Sequence, residues 1–202
     1  GQNTKNIIVN DGTFNDDILH QYYPFEVMAQ KEKALKYDAV EELWTMEDAV
    51  AYVDEQHKSG NYYTNEVGYA TLEEAVAARK YNENADHVMT VTLLKEIDLG
   101  NTTLLVDSDE DYKNSNINFD FAEKDVEGSL TPAIRIQGGT NVTIKNGKMN
   151  TTGYNFILGA SDDSSAGNLT IESGTYTGTV TVASVTKGLL TIKGGEFKVN
   201  ES

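Results

Sequence analysis

The chain has 202 residues, 39% hydrophobic and 24% charged, enough for one substantial core or two small ones and too polar for a membrane span. Sixteen Lys and Arg against 32 Asp and Glu leave a net charge of -16, which disfavours nucleic acid and anionic membrane surfaces as partners. The absence of cysteine excludes a disulfide framework, a thiolate metal site and a cysteine nucleophile. No run approaches the roughly 18 apolar residues of a spanning helix, so membrane insertion is not expected. Residues 1–30 do not read as a signal peptide, and Gly1 is expected to begin a mature or excised segment. The charge is uneven. Residues 141–202 balance five lysines against five acids, so residues 1–140 carry the whole excess.

In chain order, the first element is NIIVNDGTF at 6–14, a short apolar strand followed by a turn glycine and an aromatic residue. Residues 18–65 are acidic, and TMEDAVAYV at 45–53 has the look of an N-capped helix. Tyr62, Tyr63 and Tyr69 cluster just after it. Such tyrosines either stack on sugar rings or pack with Trp44 to pin a linker, and they are the candidate glycan-binding residues. Thr71 and Glu74 then form a capping-box pattern ahead of an apolar stripe at Leu72, Ala75, Val76 and Ala78.

Strand-like runs follow at 90–94, 102–106, 116–121 and 133–136, each bounded by turn residues. Between them, Asp107, Asp109 and Asp111 have the alternate spacing of a calcium loop, which makes Ca²⁺ the one cofactor the sequence offers. Tyr112 and Asn118 stand where an EF-hand needs glycine and glutamate, so the loop is not an EF-hand, and a solvated acidic loop is the plainer reading. His20, His57 and His87 lie far apart without metal-ligand spacing.

The last third repeats a nine-residue motif: NVTIKNGKM at 141–149, NLTIESGTY at 168–176 and LLTIKGGEF at 189–197, with 6–14 as a fourth copy. Spacings of 27 and 21 residues are too long for a hairpin return and suit one circuit of a parallel β-helix. Alternation sends Ile144, Ile171 and Ile192 inward, with Thr143, Thr170 and Thr191 outward. Gly147, Gly174 and Gly195 follow each strand, where a corner asks for positive φ. Residues 90–199 would make roughly five coils, a stack about 24 Å tall at the usual strand spacing.

The capping helix at 68–78, the leucine-rich run VTLLKEIDL at 91–99 and the turn TIKGGEF at 191–197 resemble the pectate-lyase-like right-handed β-helix units of secreted or surface-anchored proteins of gut-dwelling Gram-positive bacteria. The resemblance covers about 66–200, and 11–17 is similar to the exit of a preceding unit. It implies a mainly β fold, a right-handed single-stranded parallel β-helix with an N-terminal α-helical cap. The expected parts are a strand and turn at 1–17, an acidic, partly helical linker or cap at 18–65, and a capping helix plus β-helix at 66–202. Location is expected to be secreted or cell-surface.

Polysaccharide lyases on this fold combine acids that hold Ca²⁺ with a Lys or Arg base, and glycoside hydrolases need two carboxylates across a cleft. Here the candidates are Arg135, flanked by inward isoleucines, and the loop pair Asp162 and Asp163, none with a suggestive partner. The expectation is therefore a non-catalytic module for adhesion or weak binding of a glycan or surface protein, joined to adjacent repeat units of a longer parent chain. A small lyase or hydrolase, and a pure spacer in a tandem array, are the alternatives.

Overall fold

The structure is a computed structural model that describes residues 7–18, 27–59, 61–82, 84, 86–107, 116–129, 132–159, 167–184 and 188–199. Side chains of 27–28, 57–59, 61–65 and 180–184 are outside that description.

The N-terminal third is built from β1 (Ile7–Val9), β2 (Thr13–Phe14), β3 (Val27–Ala29), β4 (Lys33–Asp38), β5 (Leu43–Asp48), β6 (Ala51–Ser59) and β7 (Asn61–Tyr69). A short helix α1 (Leu72–Ala77) runs into a single 3₁₀ turn at Ala78–Tyr81. From there the chain winds through β8 (Met89–Leu93), β9 (Ile97–Asp98) and β10 (Leu104–Val106), then β11 (Asn116–Asp120), β12 (Asp125–Gly128) and β13 (Ile134–Ile136). The next circuits are β14 (Asn141–Lys145), β15 (Gly147–Thr151), β16 (Tyr154–Leu158) and β17 (Asn168–Ile171), β18 (Gly174–Gly178), β19 (Val180–Ser184). Strands β20 (Leu190–Ile192) and β21 (Glu196–Val199) begin another.

Three parallel ladders result: β8-β11-β14-β17-β20, β9-β12-β15-β18-β21 and β10-β13-β16-β19. This is a β-solenoid of stacked coils, mainly β and parallel, as the repeat spacing implies. The motif register holds: Ile144 pairs with Ile171 and Ile171 with Ile192. Inward residues of successive coils, Val91, Phe119, Ile144 and Ile171 on one ladder and Leu104, Ile134 and Phe156 on another, are fully or almost fully buried in one core. A parallel sheet cannot leave backbone groups unpaired inside, so each circuit relies on the next to complete it.

Outside the core, polar ladders run along the stack. Asn141 Nδ2 donates to Asn116 Oδ1 (2.9 Å) and Asn168 Nδ2 to Asn141 Oδ1 (2.8 Å). Charges alternate between coils, with Lys145 on Asp120 at 3.1 Å, Lys148 on Asp125 at 2.7 Å and Lys193 on Glu172 at 3.0 Å. The corner glycines differ from expectation in one coil. Gly174 and Gly195 have φ of 130° and 121°, but at the first corner the positive φ falls on Asn146 (52°) and not on Gly147. Gly147 is glycine for want of room, because a Cβ there would run into the Tyr176 hydroxyl.

The N-terminal end does not have the expected helical cap. Residues 45–53 are strand, split between β5 and β6, and α1 is only six residues long. The hairpin β6–β7 pairs antiparallel with β8, Ala51 opposite Leu93 and Val53 opposite Val91, and so covers the first edge of that ladder. Burial alternates strictly over 51–56, with Ala51, Val53 and Glu55 inward, which is a strand's period. The capping box at Thr71 does form: its Oγ1 accepts from Glu74 N at 3.1 Å, and Glu74 Oε2 accepts from Thr71 N at 3.2 Å. Helix α1 buries Leu72, Ala75 and Val76 in the solenoid core.

Candidate functional site

Strands β2, β5 and β4 form a small antiparallel sheet that lies over β7. The approach is close at Gly68, where a Cβ would collide with the carbonyl oxygens of Gln30, Lys31 and Lys33. Where this sheet meets α1 it leaves a cavity of about 150 Å³. Its aromatic walls are Trp44, Tyr69 and Tyr81, and its polar groups are Asp17, Glu74 and Lys80, with Leu35 alongside.

Each wall is held by its own local structure. Trp44 sits opposite Phe14 and Tyr37 in the antiparallel pairing and packs on the Tyr37 ring, centroids 5.2 Å apart. Tyr69 is buried, and its hydroxyl donates a hydrogen bond to Oε1 of the fully buried Glu55. Burial first, and then the Glu55 carboxyl, push the Tyr69 phenol well above its ordinary pKa, so it stays a neutral donor committed to Glu55. What Tyr69 offers the cavity is therefore ring surface. Lys80 Nζ stands 4.9 Å from the centre of the Tyr81 ring, a cation–π arrangement at the mouth.

Glu74 is half buried, and burial raises its pKa despite the two cap hydrogen bonds. The carboxyl accepts from Thr71 N and lines the cavity wall. Flat aromatic faces beside carboxylates and an ammonium group suit a small polyhydroxylated ring: stacking on its C–H face, acceptance from its hydroxyls.

The other residues singled out from sequence are scattered. Tyr62 and Tyr63 lie on β7 opposite Lys58 and His57, but their side chains are outside the described residues. Arg135 is partly buried on β13 and donates through Nη1 to the Gly159 carbonyl at 2.9 Å. Asp162 and Asp163, its companions in the catalytic alternative, lie outside the described residues, as do Asp109 and Asp111 of the acidic loop. Asp107 is described. Its carboxylate accepts from Gln137 Nε2 at 2.9 Å, and its carbonyl accepts from the buried Arg79 guanidinium. Among the described residues no group of three His, Asp or Glu side chains is gathered for a metal, and no helix is long and apolar enough to cross a membrane.

Sequence reasoning found Tyr69 and weighed Trp44, but missed Asp17, Glu74 as a cavity group, Lys80 and Tyr81. The cavity collects residues from four separated stretches, and only the capping box gave a local signal. The fold and this cavity define the chain as a β-solenoid protein with a small aromatic and acidic pocket at its N-terminal end. No family model matches the chain, and neither does any curated protein or solved structure.

Proposed function

We propose that this protein is a non-catalytic recognition module, secreted or displayed at a cell surface, that binds glycans weakly through the cavity between Trp44, Tyr69 and Tyr81. The observation that carries this reading is that cavity: three aromatic rings with Asp17, Glu74 and Lys80 around a space the size of a single sugar ring. The solenoid serves as a rigid stalk, and its motifs support the finer assignment to the right-handed, pectate-lyase-like type of gut Gram-positive bacteria.

Trp44 is the sole tryptophan, so its fluorescence reports the cavity directly. Titration with glycans selected on an array should change that emission saturably, with the sugars recovered intact. Trp44→Phe should keep part of the binding and Tyr81→Ala should weaken it about tenfold, the loss of roughly one stacking contact. No binding on the array, or binding that leaves Tyr81→Ala unaffected, would sink the proposal. One observation favours the enzyme alternative: Glu74, its pKa raised by burial, shares the cavity with Asp17. Recovery of cleaved sugar, lost in Glu74→Gln, would decide for hydrolysis.

A further inference from the structure

The cavity between Trp44, Tyr69 and Tyr81 carries a charge pattern that narrows the kind of sugar it takes. An aromatic ring is negative over its face and positive at its edge, so a cavity walled by three rings attracts a cation as well as a C–H surface. The chain shows this chemistry at the cavity mouth, where the Lys80 ammonium group stands 4.9 Å from the centre of the Tyr81 ring. Tyr69 is the wall best suited to it. Its hydroxyl donates to Glu55, and a phenol polarised toward a carboxyl group has a more electron-rich ring.

The polar groups point the same way. Asp17 and Glu74 line the cavity, with Lys80 the one base among the described lining residues. Burial makes the charged form of Glu74 costly, and an ammonium group beside it would offset that cost. The surroundings do not reverse the balance, since residues 7–81 hold 15 acids and six bases. Lys31, Lys33 and Lys36 are each paired with an acid outside the cavity, Glu66 at 3.1 Å, Asp48 at 2.7 Å and Glu47 at 3.3 Å. Arg79 is buried and donates to the Val76 and Asp107 carbonyls. A sugar acid would therefore meet carboxylates at this cavity. A neutral sugar would use the ring faces but give the two acids no counter-charge.

We infer that the cavity selects a sugar ring bearing a free ammonium group, an unacetylated amino sugar, over the same ring with a neutral or acidic substituent. The C–H face takes the aromatic wall, and the ammonium group takes the carboxylates of Asp17 and Glu74. This rests on the glycan reading of the cavity and adds a charge requirement to it.

Three methyl glycosides that differ only at C2 test it with the whole chain: the glucoside, the N-acetylglucosaminide and the glucosaminide, each titrated at physiological ionic strength with Trp44 emission as the readout. One charge per ligand keeps long-range attraction to the acidic chain small. The glucosaminide should bind about tenfold more tightly than either neutral glycoside, the worth of a desolvated cation–π or charge-assisted contact. Glu74→Gln, which keeps an acceptor for the helix cap, and Asp17→Asn should each lower that ratio about threefold and together bring it close to one, with wild-type circular dichroism. Glu127→Gln, out on the solenoid, should leave the ratio unchanged. Lys80→Gln frees the Tyr81 face of its own ammonium group and should tighten glucosaminide binding about threefold. Equal binding of the three glycosides would overturn this inference and leave the glycan reading standing, whereas binding of none would sink both. A preference that survives the Asp17→Asn, Glu74→Gln double variant would also overturn it, by showing that the chain's overall charge and not this cavity draws the amine.

Discussion

The solenoid of 89–199 and the N-terminal layer of 7–81 bury apolar surface by opposite means. In the solenoid every coil repeats the same inward positions, so neighbours in space are residues at equivalent places in the motif, and the hydrogen bonds run parallel. In the N-terminal layer the ladders are mostly antiparallel hairpins, and a polar residue, Glu55, points inward among apolar ones. Repetition gives the first region its regular core. The second has a unique arrangement, and its irregularity is what leaves a cavity.

The sharpest way to break the solenoid is to spoil one inward position. Phe119→Ala, in the middle of the fully buried stack, should cost about 3–5 kcal/mol, and chemical denaturation should report it as one cooperative loss across the coils. In the N-terminal layer the corresponding test is Tyr69→Phe, which removes the hydroxyl donor to Glu55. Leaving that buried carboxyl short of a partner should cost about 1–3 kcal/mol. Trp44 emission should lose its native position in Tyr69→Phe at denaturant levels where the solenoid circular dichroism persists. Thr71→Ala removes the N-cap and should cost about 1 kcal/mol, again felt first at Trp44.

The same contrast explains what the sequence could and could not tell. The solenoid was legible because its signal is local and repeated: Val142 and Ile144, Leu169 and Ile171, and the glycine two places before Met149 or Tyr176 recur in register. Even the departure at Asn146 is local, since asparagine tolerates the left-handed region almost as glycine does. Residues 45–53 misled because Thr45 and Asp48 imitate a capping box, and because alternation over Ala51, Val53 and Glu55 ends on an acid. A buried carboxyl only makes sense once Tyr69, fourteen residues on, is known to meet it. The cavity had no such pattern, as Asp17, Trp44, Glu74 and Tyr81 share neither period nor motif.

The smallest effect sets the two regions against each other through pH. Asp120, in the solenoid, is pushed up by burial but more strongly held down by the Asn146 side chain, the Ala122 N–H and Lys145, and its pKa falls below the usual 3.8. A folded pKa below the unfolded one means that the stabilisation is fully present above the unfolded value and is lost as the pH falls through the folded value. Asp54, on the β6–β7 hairpin, goes the other way. Burial raises its pKa above 3.8 and outweighs the Thr90 N–H and His87, whose Nε2 lies 3.4 Å from the carboxylate. Its ionisation opposes folding at neutral pH, and that cost is relieved as the pH falls through its raised value toward 3.8. Both groups are partly exposed, so each effect should stay below about 1 kcal/mol. Stability measured between pH 3 and 6 should therefore fall less steeply on acidification in Asp120→Asn than in the wild type, and more steeply in Asp54→Asn. Equal slopes in all three proteins would mean that solvent screens the solenoid ladder and the hairpin alike, and that packing alone separates the two regions.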